Sequence, residues 1–280
     1  MTIVTPAQTY DIDGVSVRVE GSGSHTLLML HGWPDTLQLW DGTVAALEDQ
    51  FRCVRLTLPG FDLTQAARPT SLAHMSALLC QVLDRVSPGQ AVTLLLHDWG
   101  CAFGYEFSAR YPDRVARIVA VDIGDYNSKA LQRALSPTAK SQVWAYQVWL
   151  ALAWMLGRHL SQRLGSGMTR WMARALRCPA PAAQIGWQMN YPYAMRWFGL
   201  AGGLQQAAAI QPGCPLLYLY GQCKPFMFHS PTWLAQVASR PDSAVRGFKA
   251  GHWLMLDQPA EFHACVRRWL LASSTIESPP

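Results

Sequence analysis

A run of apolar β-formers over residues 92–96 ends in His97-Asp98, and Trp99-Gly100 leads into a helix-like segment at 102–110. Strand, sharp turn and helix in that order put Asp98 at the tip, lifted out of the sheet with a helix N-terminus behind it. In most turns of this kind the tip is Ser. A carboxylate at the tip implies chemistry different from that of an esterase. Three further loops fall at the C-terminal ends of predicted strands and carry polar side chains: His31-Gly32-Trp33-Pro34, Asp122-Ile123-Gly124-Asp125 and Gly251-His252-Trp253.

The elements that must position these loops read as an α/β domain. Residues 15–20 alternate like a half-buried strand, and 25–30, 53–58, 92–96 and 115–121 are short apolar runs that stop at turn residues. Helical spacing at 72–86 and 102–111 separates them. Strands of this type alternating with helices predict a mostly parallel sheet covered on both faces. From 126 to about 210 the periodicity is helical with no clear strand; strand character returns at 215–220 and 245–249, and a closing helix spans 259–271. The predicted organisation is a core of 1–125 and 211–280, interrupted by a helical cap of 126–210 that sits over the strand C-terminal ends, where open α/β sheets bind ligands. The tail from 273 is expected to fray.

Composition narrows the function classes. The chain has 280 residues, half of them hydrophobic, and a formal charge of +5 with scattered basic residues. No basic run points to nucleic acid. The most apolar stretch, 143–156, is about 14 residues, short of the roughly 20 a membrane helix needs. No secretory signal is evident at the N-terminus. The seven Cys show no CxxC pair and no zinc-like spacing, which suggests buried thiols in a reducing compartment. The expectation is a soluble cytoplasmic protein acting on a small apolar or aromatic substrate, without nucleic acid or membrane partners. No metal constellation or Gly-rich phosphate loop is present, so no cofactor is expected. Oligomeric state stays open, a homodimer included.

The His-Gly-Trp-Pro and His-Asp-Trp-Gly motifs in this order, with the mid-chain helical block and the late His252, resemble the α/β-hydrolase fold and within it the epoxide hydrolase and haloalkane dehalogenase branch. The resemblance covers almost the whole chain. It implies that Asp98 attacks an electrophilic carbon to form an ester, and that His252 activates the water that hydrolyses it. It implies an oxyanion hole from the backbone N–H groups of Trp33 and Trp99, and a carboxylate that orients His252. His31 and His97 read as structural.

Three departures from the family pattern stand out. The loop after the strand at 215–220 reads Gly221-Gln222-Cys223-Lys224-Pro225, and no Asp or Glu follows before Asp242. Some relatives place the acid at the end of the strand after the nucleophile helix, which here selects Asp122, with Asp125 as the alternative. Leu96 occupies the position two before the nucleophile, normally small, and predicts a displaced helix. Thr57 stands where relatives usually have Asp.

Epoxide hydrolases of this type use two cap tyrosines as proton donors to the opening ring. Tyr146 and Tyr193 fit those places, with Tyr191 as a substitute for the second. Trp149, Tyr191 and Trp253 are expected against the substrate. A haloalkane or haloacid dehalogenase would use the same Asp98 and His252 with indole donors such as Trp99 and one of Trp144, Trp149 or Trp187. Trp33, where many dehalogenases carry Asn, favours the epoxide. A catalytically impaired member that only binds a ligand is the reading from a different class.

Overall fold

The computed structural model describes residues 7–272; the tail expected to fray lies outside them. Its eight strands are β1 (Gln8–Ile12), β2 (Val15–Glu20), β3 (His25–Leu30), β4 (Phe51–Leu56), β5 (Val92–His97), β6 (Val115–Val121), β7 (Leu216–Gly221) and β8 (Ala244–Phe248). They form one sheet in the order β1-β2-β4-β3-β5-β6-β7-β8. The β1–β2 hairpin is antiparallel and β2 pairs antiparallel with β4. From β4 onward all pairs are parallel. The sequence reading found every strand except β1.

The helices are α1 (Asp41–Leu47), α2 (Leu72–Val86), α3 (Trp99–Arg110), α4 (Lys129–Ala134), α5 (Pro137–His159), α6 (Gln162–Ala175), α7 (Tyr191–Phe198), α8 (Pro231–Ala238), α9 (Leu254–Asp257) and α10 (Pro259–Ala272). The period-2 alternation of the strands sorts side chains onto two cores. Leu28, Leu30, Leu94 and Leu96 face α2, α3 and α8. Leu27, Met29, Leu95 and Val121 face α1, α9 and α10. A sheet buried on both faces needs continuous apolar strands, and β5 is buried along its whole length.

Every described element between β6 and β7 is helical. The long α5 starts from Ser136, whose hydroxyl accepts from the Ala139 N–H at 3.1 Å, with Pro137 in the first turn where its missing N–H costs nothing. Several polar contacts tie this helical segment to the rest of the chain. The Trp33 indole donates to Asn190 Oδ1 at 2.8 Å, Gln188 donates to the Asp62 carbonyl at 2.8 Å, and Gln184 donates to Gln38 at 3.0 Å. Asn190 is fully buried and its amide also donates to Thr169 Oγ1 at 2.7 Å, so it joins α6, the start of α7 and the core loop.

Among the described residues no helix is long and apolar enough to cross a membrane.

Candidate active site

Asp98 occupies the turn between β5 and α3 with φ 51° and ψ −123°. A non-glycine residue in that region is strained and persists only where its surroundings hold it. The restraint is visible: the Trp33 N–H donates to Asp98 Oδ1 at 2.7 Å. At Gly32 a Cβ would stand 2.4 Å from both Asp98 Oδ1 and the Trp99 N. Only glycine lets the loop after β3 approach this closely, and the approach brings the Trp33 amide onto the Asp98 carboxylate beside the start of α3.

Leu96 does not disturb the turn, because the helix yields at Gly104. A Cβ there would lie 2.5 Å from both Leu96 methyl carbons. The family's small residue on the strand is exchanged for a small residue on the helix, and the expected displacement has a specific accommodation. Thr57 also has a contact: its hydroxyl accepts from the Leu37 N–H at 3.3 Å, which ties the end of β4 to the loop after β3.

His252 lies in the loop after β8. Its Nε2 is 3.4 Å from Asp98 Oδ2, and its Nδ1 is 2.5 Å from Asp122 Oδ2. Asp122, at the end of β6 with φ 70°, is fully buried. Its other oxygen accepts from the Gly221 N–H at 3.0 Å and from the Lys224 ammonium. The strand-end carboxylate therefore touches the ring that the acid-free loop cannot reach. Asp125, the alternative, is engaged elsewhere: it accepts from Ser128 at 2.5 Å and from the Ser230 N–H and hydroxyl at 2.7 Å each. That network caps α8 and leaves Asp125 out of contact with His252.

Burial favours neutral groups here, and the charges decide against it. Desolvation alone would lower the His252 pKa, but the Asp122 charge and hydrogen bond, reinforced by Asp98, lift it to about 9. Burial raises the Asp98 carboxyl, yet the His252 hydrogen bond and charge, with His97 and the Trp33 N–H, leave it below the usual carboxylate range. Asp122 is likewise held low against its burial by Lys224 and His252. At neutral pH the free site is thus an imidazolium between two carboxylates.

The neighbouring histidines do other work. His31 donates to the Gly32 carbonyl at 3.0 Å and accepts from the Leu58 N–H at 2.9 Å; burial keeps it neutral, with a pKa lowered to about 4. His97 donates to the His252 carbonyl at 3.0 Å, and burial lowers it to about 3. Trp253 stacks edge-on against His252 at 4.9 Å and donates its indole N–H to the buried Asp35 at 2.8 Å.

Above Asp98 lies a narrow cavity of about 50 Å³. Tyr146 from α5 and Tyr193 from α7 line it together with Asp98, and Ile123, Phe228 and Arg196 complete much of the wall. The two phenol rings meet edge to face at 6.1 Å. Burial holds both phenols well above the usual tyrosine range, so both are neutral donors. Three residues expected against the substrate lie elsewhere. Trp149 points away, its indole on the Met168 carbonyl at 3.0 Å and its ring on Trp171. Tyr191 is fully buried between Phe61 and Phe103. Trp253 is committed to Asp35 and is outside the cavity wall. The rotation of a helix about its own axis separates Tyr193 from Tyr191, and aromatic content alone does not reveal it.

Lys224, Asn190, Asp35 and Arg196 carry no signal in the sequence that marks them as site residues. A lone Lys in a loop signals nothing until the carboxylate it pairs with is known to sit on β6. Among the described residues no group of three or more His, Cys, Asp or Glu could hold a metal ion.

Comparison with known proteins returns the same fold. Residues 25–259 match the model of the alpha/beta hydrolase fold family, and the chain belongs to that family. The probable oxidoreductase EphD of Mycobacterium tuberculosis is 36% identical over 117 residues, which cover 39% of this chain and 20% of that protein. A cis-3-alkyl-4-alkyloxetan-2-one decarboxylase of Shewanella oneidensis is 30% identical over 114 residues, 39% of this chain and 35% of that one. The chain thus spans about a fifth to a third of the length of these curated relatives. A point mutant of an epoxide hydrolase from Bacillus megaterium, solved with its diol product, superimposes with a TM-score of 0.69. That structure is 19% identical, and the match covers 94% of this chain and 99% of that one. At that identity the likeness speaks for the fold.

Proposed function

We propose that the protein is an epoxide hydrolase that opens its substrate to a diol through an ester on Asp98. The observation that carries this reading is that Tyr146 and Tyr193 share one cavity with Asp98. An epoxide oxygen becomes an alkoxide as its C–O bond breaks and needs a proton from the side opposite the nucleophile. Two neutral phenols facing a carboxylate meet that need.

In the first half-reaction an Asp98 oxygen bonds to the epoxide carbon, the C–O bond breaks, and the alkoxide takes a phenol proton. The tyrosinate regains a proton at the expense of the His252 imidazolium, relayed through solvent. His252 is then neutral and able to act as the base. Loss of the Asp98 charge on esterification lowers the His252 pKa and drives the same change. In the second half-reaction His252 takes a proton from water as the oxygen adds to the ester carbonyl. The resulting oxyanion is held by the Trp33 and Trp99 amides. Collapse expels the second oxygen as an alkoxide, which takes the proton of the newly formed Asp98 carboxylic acid, so the diol leaves and the Asp98 carboxylate and the His252 imidazolium are restored. Asp122 orients the ring and balances its charge. The cycle uses side chains and water and no cofactor.

The dehalogenase reading has less support, because the indoles it needs are occupied or remote. Trp99 is hydrogen-bonded with Tyr193, Trp149 donates to Met168, and Trp144 is 55% exposed. Trp187 packs on Trp154 away from the cavity wall. In this reading the helical segment 126–210 is the cap on a core of 1–125 and 211–280. All seven cysteines are free thiols, which fits a cytoplasmic setting.

The test is a single turnover of an aryl epoxide in ¹⁸O-water. The first diol should carry unlabelled oxygen from Asp98, and Asp98→Asn should give no diol. Label in the first diol, or turnover by that variant, would overturn the assignment.

A further inference from the structure

We propose that Arg196 recognises an anion and that the epoxide turned over at this site carries a carboxylate within a few carbons of the ring. This inference rests on the epoxide reading for the reacting group and on independent observations for the anion.

Arg196 lines the same cavity as Asp98 and both tyrosines. It is half-buried, and its guanidinium has no hydrogen bond or ion pair with a described residue; its ring neighbour is Trp197, at 5.9 Å. No carboxylate is available nearby from its own part of the chain, because no Asp or Glu occurs between Asp125 and Asp242. Asp98, across the cavity, is held by His252 and the Trp33 amide. The groups that face Arg196 are the neutral phenols of Tyr126 and Tyr146, whose ionisation its charge favours, and the amide of Gln147. That amide is spent on Tyr146 and Trp197.

A half-buried guanidinium with no counter-ion on a cavity wall is held by solvent in the free protein and is open to a charge that a ligand supplies. A guanidinium offers a carboxylate two parallel donors, and the bond strengthens where water is excluded. The spacing adds a geometric statement. Tyr193 and Arg196 are three residues apart on α7, so their Cβ atoms are neighbours at about 5–6 Å. The proton donor and the cation therefore address adjacent parts of one molecule. Ile123 and Phe228 leave the remainder of the wall apolar. The ligand whose chemistry matches this wall is an amphiphile, an epoxide beside a carboxylate with an apolar or aryl substituent, and the cavity of about 50 Å³ must widen to admit it.

Two measurements separate this proposal from the reading beneath it. Hydrolysis of 3,4-epoxy-4-phenylbutanoate is compared with that of its primary amide, in the wild type, Arg196→Gln and Arg196→Lys. The wild type should prefer the acid by about tenfold or more in kcat/KM, mostly through KM, the worth of one charge-assisted pair. Arg196→Gln should lose the preference and Arg196→Lys should keep part of it. Equal use of acid and amide by the wild type would overturn the proposal. In parallel, binding of the unreactive 4-phenylbutanoate and 4-phenylbutanamide is measured by calorimetry. Tighter binding of the acid to the wild type but not to Arg196→Gln supports the anion site even if no epoxide is opened, in which case only the reaction assignment fails. Equal binding of the two to the wild type would overturn the anion site whatever the reaction.

Discussion

Lys224 donates its ammonium to the Asp122 oxygen that His252 leaves free. The lysine comes from the loop where related chains carry the acid itself, so the loop still acts on His252, with opposite charge and one residue removed. Its side chain is 9% exposed and Asp122 is fully buried, which keeps the pair effective. Neutralising it should let Asp122 attract the imidazolium proton more strongly. We expect Lys224→Met to raise the apparent pKa of ester hydrolysis and to slow that step at pH 7, with Lys224→Arg close to wild type. A purely structural Lys224 would lower stability without moving the pH profile. Stopped-flow hydrolysis of the preformed ester across pH 5–9 distinguishes the two.

The same electrostatics predict a division between the half-reactions. His252 sits at about 9 in the free protein because two carboxylates flank it. Its stabilising charge is fully present below the ordinary histidine range and is lost as pH rises through about 9. Esterification removes the Asp98 charge, so the base-competent ring appears at lower pH in the ester than in the free protein. Asp98 and Asp122 are ionised above their lowered values, so ester formation should persist at mildly acidic pH while its hydrolysis accelerates with rising pH. Asp122→Asn removes the orienting charge and should slow hydrolysis by about 10³–10⁴-fold, by analogy with the triad acid of other hydrolases. The alkylated protein should then accumulate and be visible as added mass. Hydrolysis that does not rise with pH between 5 and 8, or full turnover in Asp122→Asn, would remove His252 as base or Asp122 as its partner.

How much of this was readable in one dimension depends on how local the cause is. The turns at His31-Gly32-Trp33 and His97-Asp98-Trp99 follow from adjacent residues, and the Asp98, His252 and Asp122 cluster follows from where predicted strands end. The β1 strand is not legible in the sequence although Asp13-Gly14 is a hairpin turn signal, because its own five residues are too polar to look like a strand. Tyr191 and Trp149 were misplaced because the rotation of α5 and α7 is set by packing against partners distant in sequence. Lys224 and Gly104 became meaningful only through contacts that the fold creates.

Gly104 gives a direct test of the altered elbow. The Leu96 methyls fill the space where a Cβ at 104 would go, 2.5 Å from either carbon, on buried β5 and buried α3. Helix propensity alone would make Gly104→Ala stabilising by about 1 kcal/mol. Overpacking should reverse the sign, giving a loss of about 1–3 kcal/mol in urea denaturation. The double variant Leu96→Ala with Gly104→Ala restores the family's distribution of volume and should recover part of that loss. A stabilised Gly104→Ala single variant would show that α3 shifts freely and that the strand–helix contact is not tight.

Asp35 makes the last prediction, one of stability against pH. Burial raises its carboxyl to about 7, with Asp98 adding to the rise and the Trp253 indole and His252 opposing it. A carboxyl raised on folding binds more protons in the folded state, so its contribution to stability falls as pH climbs from the ordinary carboxylate value to about 7 and is constant above. The penalty at pH 8 is of the order of 4 kcal/mol at most. Asp35→Asn keeps an oxygen for the Trp253 N–H and removes the ionisation. Relative to wild type, the variant should therefore gain stability progressively between pH 4 and pH 8, by up to about 4 kcal/mol. Urea denaturation at four pH values reads the difference directly. Parallel curves for the two proteins would mean that Asp35 is ionised at little cost and that water or a neighbouring group reaches it. Because Asp35 holds Trp253, and Trp253 packs on His252, the variant's ester hydrolysis should be followed alongside. A stabilised variant with slowed hydrolysis would identify the Asp35–Trp253 contact as a brace for the His252 loop, retained despite what the buried acid costs the fold.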